Sequence, residues 1–183
     1  MTERDRLRQL IHDRALRFGD FTLASGQKST YFIDGKQVSL LGAGANLLAK
    51  AILAILDPSV EAVGGMTIGA DPIAGAVIAL AAEQGRDLTG FLVRKERKDH
   101  GTGKQVEGPL WEGVRVAMLE DTITTGGSTL QAIEAVEREY QAQVVEVVTM
   151  VDRLQGAREN LAEGGYALTA LFEITEFGIE RPG

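Results

Sequence analysis

The chain has 183 residues, no cysteine and a formal net charge of −7; that length suits one domain with one core, and the missing cysteines exclude disulfides, thiolate metal sites and a cysteine nucleophile. The negative charge argues against nucleic acid as a partner, since a phosphate polymer would meet a repelling surface. No apolar stretch approaches the ~20 residues that cross a bilayer, and the charged start Met1-Thr2-Glu3-Arg4-Asp5-Arg6 does not read as a signal peptide, so a soluble cytoplasmic protein without membrane partners is expected.

Along the chain, Leu7, Leu10, Ile11, Ala15 and Phe18 recur at helical spacing and predict a helix over 5–18. His12 lies on it without neighbours at metal-ligand spacing and reads as structural. Residues 21–23 and 29–33 read as two short strands joined by Ala24-Ser25-Gly26-Gln27-Lys28. A second helix is expected from Ala43 to about Leu56, stopped by Asp57-Pro58. Residues 60–65 form a buried strand, and a glycine-containing turn over 66–71 leads into a helix over 72–84 with Pro72 in its first turn. Strands over 88–93, 115–119, 144–151 and 166–172 and a helix over 128–140 complete the pattern. The alternation implies an α/β fold, a central and mainly parallel sheet flanked by helices, with ligand loops at the carboxyl ends of the strands.

Residues 94–108 break that rhythm, being polar, glycine-rich and long for a connection without a function. Between Arg94 and Lys104 stand five cations and two carboxylates, which suits a small anionic substrate. The most informative stretch follows: an apolar strand, then Glu120-Asp121-Thr122-Ile123-Thr124-Thr125-Gly126-Gly127-Ser128, then a helix. Glycines let backbone N–H groups converge on a phosphate, hydroxyls add donors, and the helix start adds its positive dipole end. The two carboxylates would repel that phosphate unless they bind something else, and vicinal sugar hydroxyls with a divalent cation nearby would satisfy them. The loop lacks the Gly-Lys-Ser/Thr of a nucleotide P-loop and the glycine spacing of a dinucleotide fingerprint.

Residues 116–129 resemble the phosphoribosyl pyrophosphate (PRPP) signature of the type I phosphoribosyltransferases. The resemblance implies a single domain over 1–183, with a small hood built from the N-terminal segment, about 1–40, and the C-terminal segment. It also implies that Glu120 and Asp121 hold the ribose hydroxyls, that Thr122 and Ile123 line the same site, and that Thr124, Thr125, Gly126, Gly127 and Ser128 hold the 5-phosphate. Two further segments are similar to orotate phosphoribosyltransferases: residues 21–32, with Leu23-Ala24-Ser25-Gly26 and Ser29-Thr30-Tyr31, and Arg94-Lys95-Glu96-Arg97-Lys98-Asp99-His100-Gly101, which resembles that family's mobile catalytic loop. With Asp152-Arg153 the similarity runs from about Phe21 to Arg153.

By that resemblance, Arg94, Lys95, Lys98 and His100 bind PRPP and act with Asp121 in catalysis, Lys98 first among them as the cation for the leaving pyrophosphate. Orotate, a flat anion, falls to Arg153 and Thr124 in a pocket partly formed by Tyr31 and Phe32, one of which should face the core because neighbours on a strand alternate. Magnesium is the implied cofactor, held mainly by PRPP and water. The family also implies a homodimer whose 94–108 loop closes over the partner's site. Two positions depart from the pattern: Ala24 and Asp71 stand where well-known members carry lysine. Lys28 would compensate for the first and a magnesium ion beside Asp71 for the second. The alternatives are a purine-base phosphoribosyltransferase and a PRPP-sensing regulator without catalysis.

Overall fold

Thr2 starts the first helix: its hydroxyl accepts from the Asp5 N–H while the Asp5 carboxylate accepts from the Thr2 N–H. The computed structural model describes residues 1–22, 28–96 and 103–181. Helix α1 (Glu3–Leu10) passes into a π turn, Ile11–Ala15, and the chain becomes strand at Leu16. The helix expected to reach Phe18 therefore ends early. The reason is tertiary: β1 (Leu16–Thr22) pairs antiparallel with β2 (Lys28–Ile33), placing Phe18 opposite Tyr31 and out in solvent.

After this two-stranded sheet come α2 (Lys36–Ser39), which has no counterpart in the sequence reading, and α3 (Gly42–Ile55). Then follow β3 (Ala62–Met66), α4 (Asp71–Glu83), β4 (Thr89–Val93), β5 (Val106–Glu107), β6 (Arg115–Ile123), α5 (Gly127–Tyr140), β7 (Gln143–Asp152), α6 (Ala157–Glu163) and β8 (Leu168–Glu173). The last six strands form one sheet of order β5-β4-β3-β6-β7-β8, parallel except for β5.

Strand alternation divides the core into two layers. Ala117 and Leu119 of β6 pack with α1, α3 and α4 on one face. Val116 and Met118 pack with Ala132, Ile133 and Val136 of α5 on the other. Each of the larger buried side chains, Leu119, Val116, Met118, Ile133 and Val136, contributes about 1.5–3 kcal/mol, which holds both helical layers against the sheet. Arg4 ties the chain's two ends together, bonding to Glu176 and stacking 4.4 Å above Phe172. No helix among the described residues is long and apolar enough to cross a membrane.

The chain leaves β3 for β4 on one side and returns to β6 on the other, so the strand order reverses between β3 and β6. A crevice opens at such a switch point, beyond the carboxyl ends of the strands. The described return of the 94–108 connection is held by β4 and α5. Val106 and Glu107 pair with β4, and Glu139 of α5 accepts from the N–H groups of Gln105 and Val106.

Candidate active site

The crevice holds a cavity of about 720 Å³ lined by Ser128, Glu120, Asp121, Lys36, the turn after β3, Arg94 and Lys95. Strand β6 runs through both carboxylates to Ile123, because Glu120 stays paired with Thr149, Thr122 with Val151 and Ile123 with Asp152. The strand expected to stop at Leu119 is thus longer, and the acid pair belongs to the sheet. Alternation then sends the two carboxylates to opposite faces.

Glu120 faces α5, where the Thr129 hydroxyl donates to Oε2 at 2.9 Å. Burial pushes its carboxyl up to about 7, the Thr129 bond opposes this, and the neighbouring Asp121 charge adds to it. Asp121 faces α2 and lies between two glycines: a Cβ on Gly35 would come within 2.7 Å of Asp121 Cβ, and one on Gly69 within 2.7 Å of Oδ1. Only a bare backbone fits on either side of it. Burial raises the Asp121 carboxyl, with the Lys36 ammonium pulling the other way.

Beyond Ile123, the expected phosphate cradle has the form such a site needs. Gly126, at φ 81°, forms the N-cap of α5 in the left-handed region, and no side chain caps that helix. The first-turn N–H groups of α5 are therefore left to a ligand. Asn160 of α6 braces the loop by donating to the Thr125 carbonyl at 2.8 Å. Gly127 and Ser128 are exposed, whereas the Ile123 side chain is core and has only backbone to offer.

Arg153, at the end of β7, is 8% exposed. Its Nε donates to the Tyr31 hydroxyl at 3.0 Å, Nη1 lies 3.4 Å from the Thr124 hydroxyl, and the guanidinium sits 4.9 Å from the Tyr31 ring centre. Nη2 is buried with no hydrogen-bond partner. A buried donor left open costs on the order of 1–3 kcal/mol, so a ligand acceptor there is well rewarded. The Phe32 ring does not join this group: alternation along β2 turns it outward against Phe21.

Arg94 lines the cavity while bonded to Glu107 at 3.0 Å, and Lys95 lies beside it. Lys98 and His100 lie outside the described residues, as does Ala24. Asp71, the first residue of α4, keeps a buried Oδ1 without a partner, and burial raises its carboxyl. Lys36, Asp34, Thr129 and Asn160 escaped the sequence reading. The turn Asp34-Gly35-Lys36 after an aromatic strand was the signal for the first two.

A parallel sheet that offers carboxylates and an open helix start at its switch point is the architecture of the type I phosphoribosyltransferases. No protein-family model matches the chain. An orotate phosphoribosyltransferase of Rhodopirellula baltica is 44% identical over 178 residues, covering 93% of this chain and 92% of that one. The orotate phosphoribosyltransferase of Mycobacterium tuberculosis, in complex with Fe(III) dicitrate, superposes with TM-score 0.84 at 34% identity over 97% of this chain and 100% of that one. The same enzyme in complex with PRPP gives 0.79 at 31% identity, with the same coverage of each chain. The chain belongs to the orotate phosphoribosyltransferase family.

Proposed function

We propose that the protein transfers the 5-phosphoribosyl group of PRPP to orotate with magnesium, releasing orotidine 5'-monophosphate and pyrophosphate. The observation that carries the choice of base is Arg153, whose buried, unpartnered Nη2 lies on the guanidinium that also reaches Thr124 of the phosphate loop. A planar anion with carbonyl and carboxylate oxygens answers that donor, and a purine base lacks the carboxylate.

In the reaction the bond from ribose C1 to pyrophosphate oxygen breaks and a bond from C1 to the orotate ring nitrogen forms, with positive charge on the sugar between the two events and the proton of the ring N–H passing to the departing pyrophosphate. The cradle 124–128 holds the 5-phosphate, Glu120 and Asp121 accept the ribose hydroxyls, and Arg153 orients orotate. Arg94 and Lys95 face the leaving pyrophosphate, where fixed cations stabilise the charge as it develops. Lys98 and His100 are assigned to the same leaving group on the family pattern alone. Magnesium would neutralise pyrophosphate oxygens. The ion would be carried mainly by PRPP and water, with Asp71, whose buried Oδ1 has no partner, as the protein group in want of a cation.

The protein acts in the cytoplasm as a homodimer, with the catalytic loop of one subunit over the site of the other. Support for the assembly comes from exposed apolar side chains, Ile68 in the cavity wall and Leu40 and Leu41 just after α2, which a second copy would cover. The test is loss of orotate absorbance with PRPP and magnesium, with and without a chelator. Consumption of adenine or hypoxanthine in place of orotate would establish the purine reading instead, and PRPP binding without turnover of any base would establish the regulator.

A further inference from the structure

The cavity wall contains a cation anchored to the body of the protein. With the 5-phosphate of PRPP at Ser128 and its ribose hydroxyls on the carboxylates, the lining left for its pyrophosphate is Lys36, the turn after β3, Arg94 and Lys95. Arg94 is engaged by Glu107, and Lys95 stands near the end of β4 on the 94–108 connection. Lys36 is held differently. Its Nζ lies 2.6 Å from Asp34 Oδ1, which also accepts from its own main-chain N–H at 3.2 Å, while Asp34 Oδ2 accepts from Gln37 at 3.1 Å.

The preceding residue, Gly35, rests against Asp121, so the backbone that carries Lys36 is set in register with the ribose-binding carboxylate. An ammonium has three donors. Asp34 takes one, and Asp121 Oδ2 at 4.0 Å is beyond hydrogen-bond length. The side chain is 39% exposed where it meets the cavity, so a ligand oxygen can reach it. Without this cation, Asp34 and Asp121 would present two uncompensated carboxylates to a polyanion.

We propose that Lys36 binds the pyrophosphate group of PRPP, as a pre-positioned cation beside Asp121. It supplies on the protein body the positive charge that Ala24 and Asp71 do not. The proposal rests on the reading of this cavity as the PRPP site.

The experiment compares Lys36→Met and Lys36→Arg with wild type in the full-length chain. Initial rates give KM for PRPP and orotate, and inhibition constants for magnesium pyrophosphate and for ribose 5-phosphate. Lys36→Met should weaken PRPP and pyrophosphate about tenfold, the size of one charge-assisted hydrogen bond, with ribose 5-phosphate and orotate changed less than about twofold. Lys36→Arg should restore most of the loss. Equal weakening of pyrophosphate and ribose 5-phosphate would mean that Lys36 only supports Asp121, and it overturns the proposal, as does an unchanged pyrophosphate constant. Lys36→Gln keeps a hydrogen bond to Asp34, and normal pyrophosphate inhibition in that variant overturns the proposal even if Lys36→Met does not fold. Wild-type protein that binds magnesium PRPP in calorimetry but turns over no orotate would sink the enzymatic reading alone, and calorimetry on the same variants would then decide the role of Lys36.

Discussion

Replacing Glu120 by glutamine should stabilise the ligand-free protein at alkaline pH and remove part of its pH dependence. The residue is 7% exposed, and burial raises its carboxyl from 4.5 to about 7. A folded-state value above the unfolded one means that between these limits the folded chain holds a proton the unfolded chain has released. Its contribution to stability is therefore complete below about pH 4.5 and is lost as pH rises through about 7. A shift of that size corresponds to roughly 3 kcal/mol at about 1.36 kcal/mol per unit. Glutamine has the same shape, stays neutral and can still accept from Thr129, so at pH 8 the variant should melt at least about 5 °C above wild type, given ~2–4 °C per kcal/mol in a domain of this size. Near pH 4.5 the two should coincide. Thermal unfolding of both proteins without ligand, from pH 4.5 to 8.5, measures this. A melting difference that stays constant across the range would refute the reasoning, because a neutral group and a titrating one cannot track each other. Function should move oppositely: PRPP binding by wild type should tighten relative to the variant above pH 7, where the ionised carboxylate accepts the ribose hydroxyls.

Asp121→Asn should raise KM for PRPP much more than KM for orotate, since in the proposed reaction it accepts a ribose hydroxyl; equal losses in kinetics at saturating partner substrate would count against that role. Arg153→Met should raise KM for orotate about tenfold or more with PRPP nearly unaffected, and initial rates with each substrate varied in turn would reveal a contrary, uniform loss. Lys98→Ala should lower kcat with little change in either KM, as for an interaction made mainly in the transition state, and a wild-type kcat would remove it from the mechanism. Refolding equal amounts of Asp121→Asn and Lys98→Ala protein together should restore about a quarter of wild-type activity if loops act across a two-fold interface, and none if each loop serves its own subunit.

Read alone, the sequence determined the features that depend on short-range pattern. The apolar runs of β3, β4 and β7 and the periodic faces of α3, α4 and α5 are local signals, and the structure has these elements within a few residues of expectation. The strand, turn and helix start over 120–129 were legible for the same reason, because acid pair, hydroxyls and glycines are adjacent in the chain.

Strand pairing sets where β6 ends, since its last residues stay extended against β7, and where α1 gives way to β1. It also decides that the neighbours Glu120 and Asp121 look to opposite layers, one to Thr129 and the other to Lys36. The bond between Tyr31 and Arg153 joins residues 122 positions apart. Helical and strand periods are set by neighbours along the chain, whereas such contacts are set by the order in which strands enter the sheet. That order sets the end of β7 beside the end of β6, where Arg153 reaches Thr124, and the separate β1-β2 sheet brings Tyr31 to the same guanidinium.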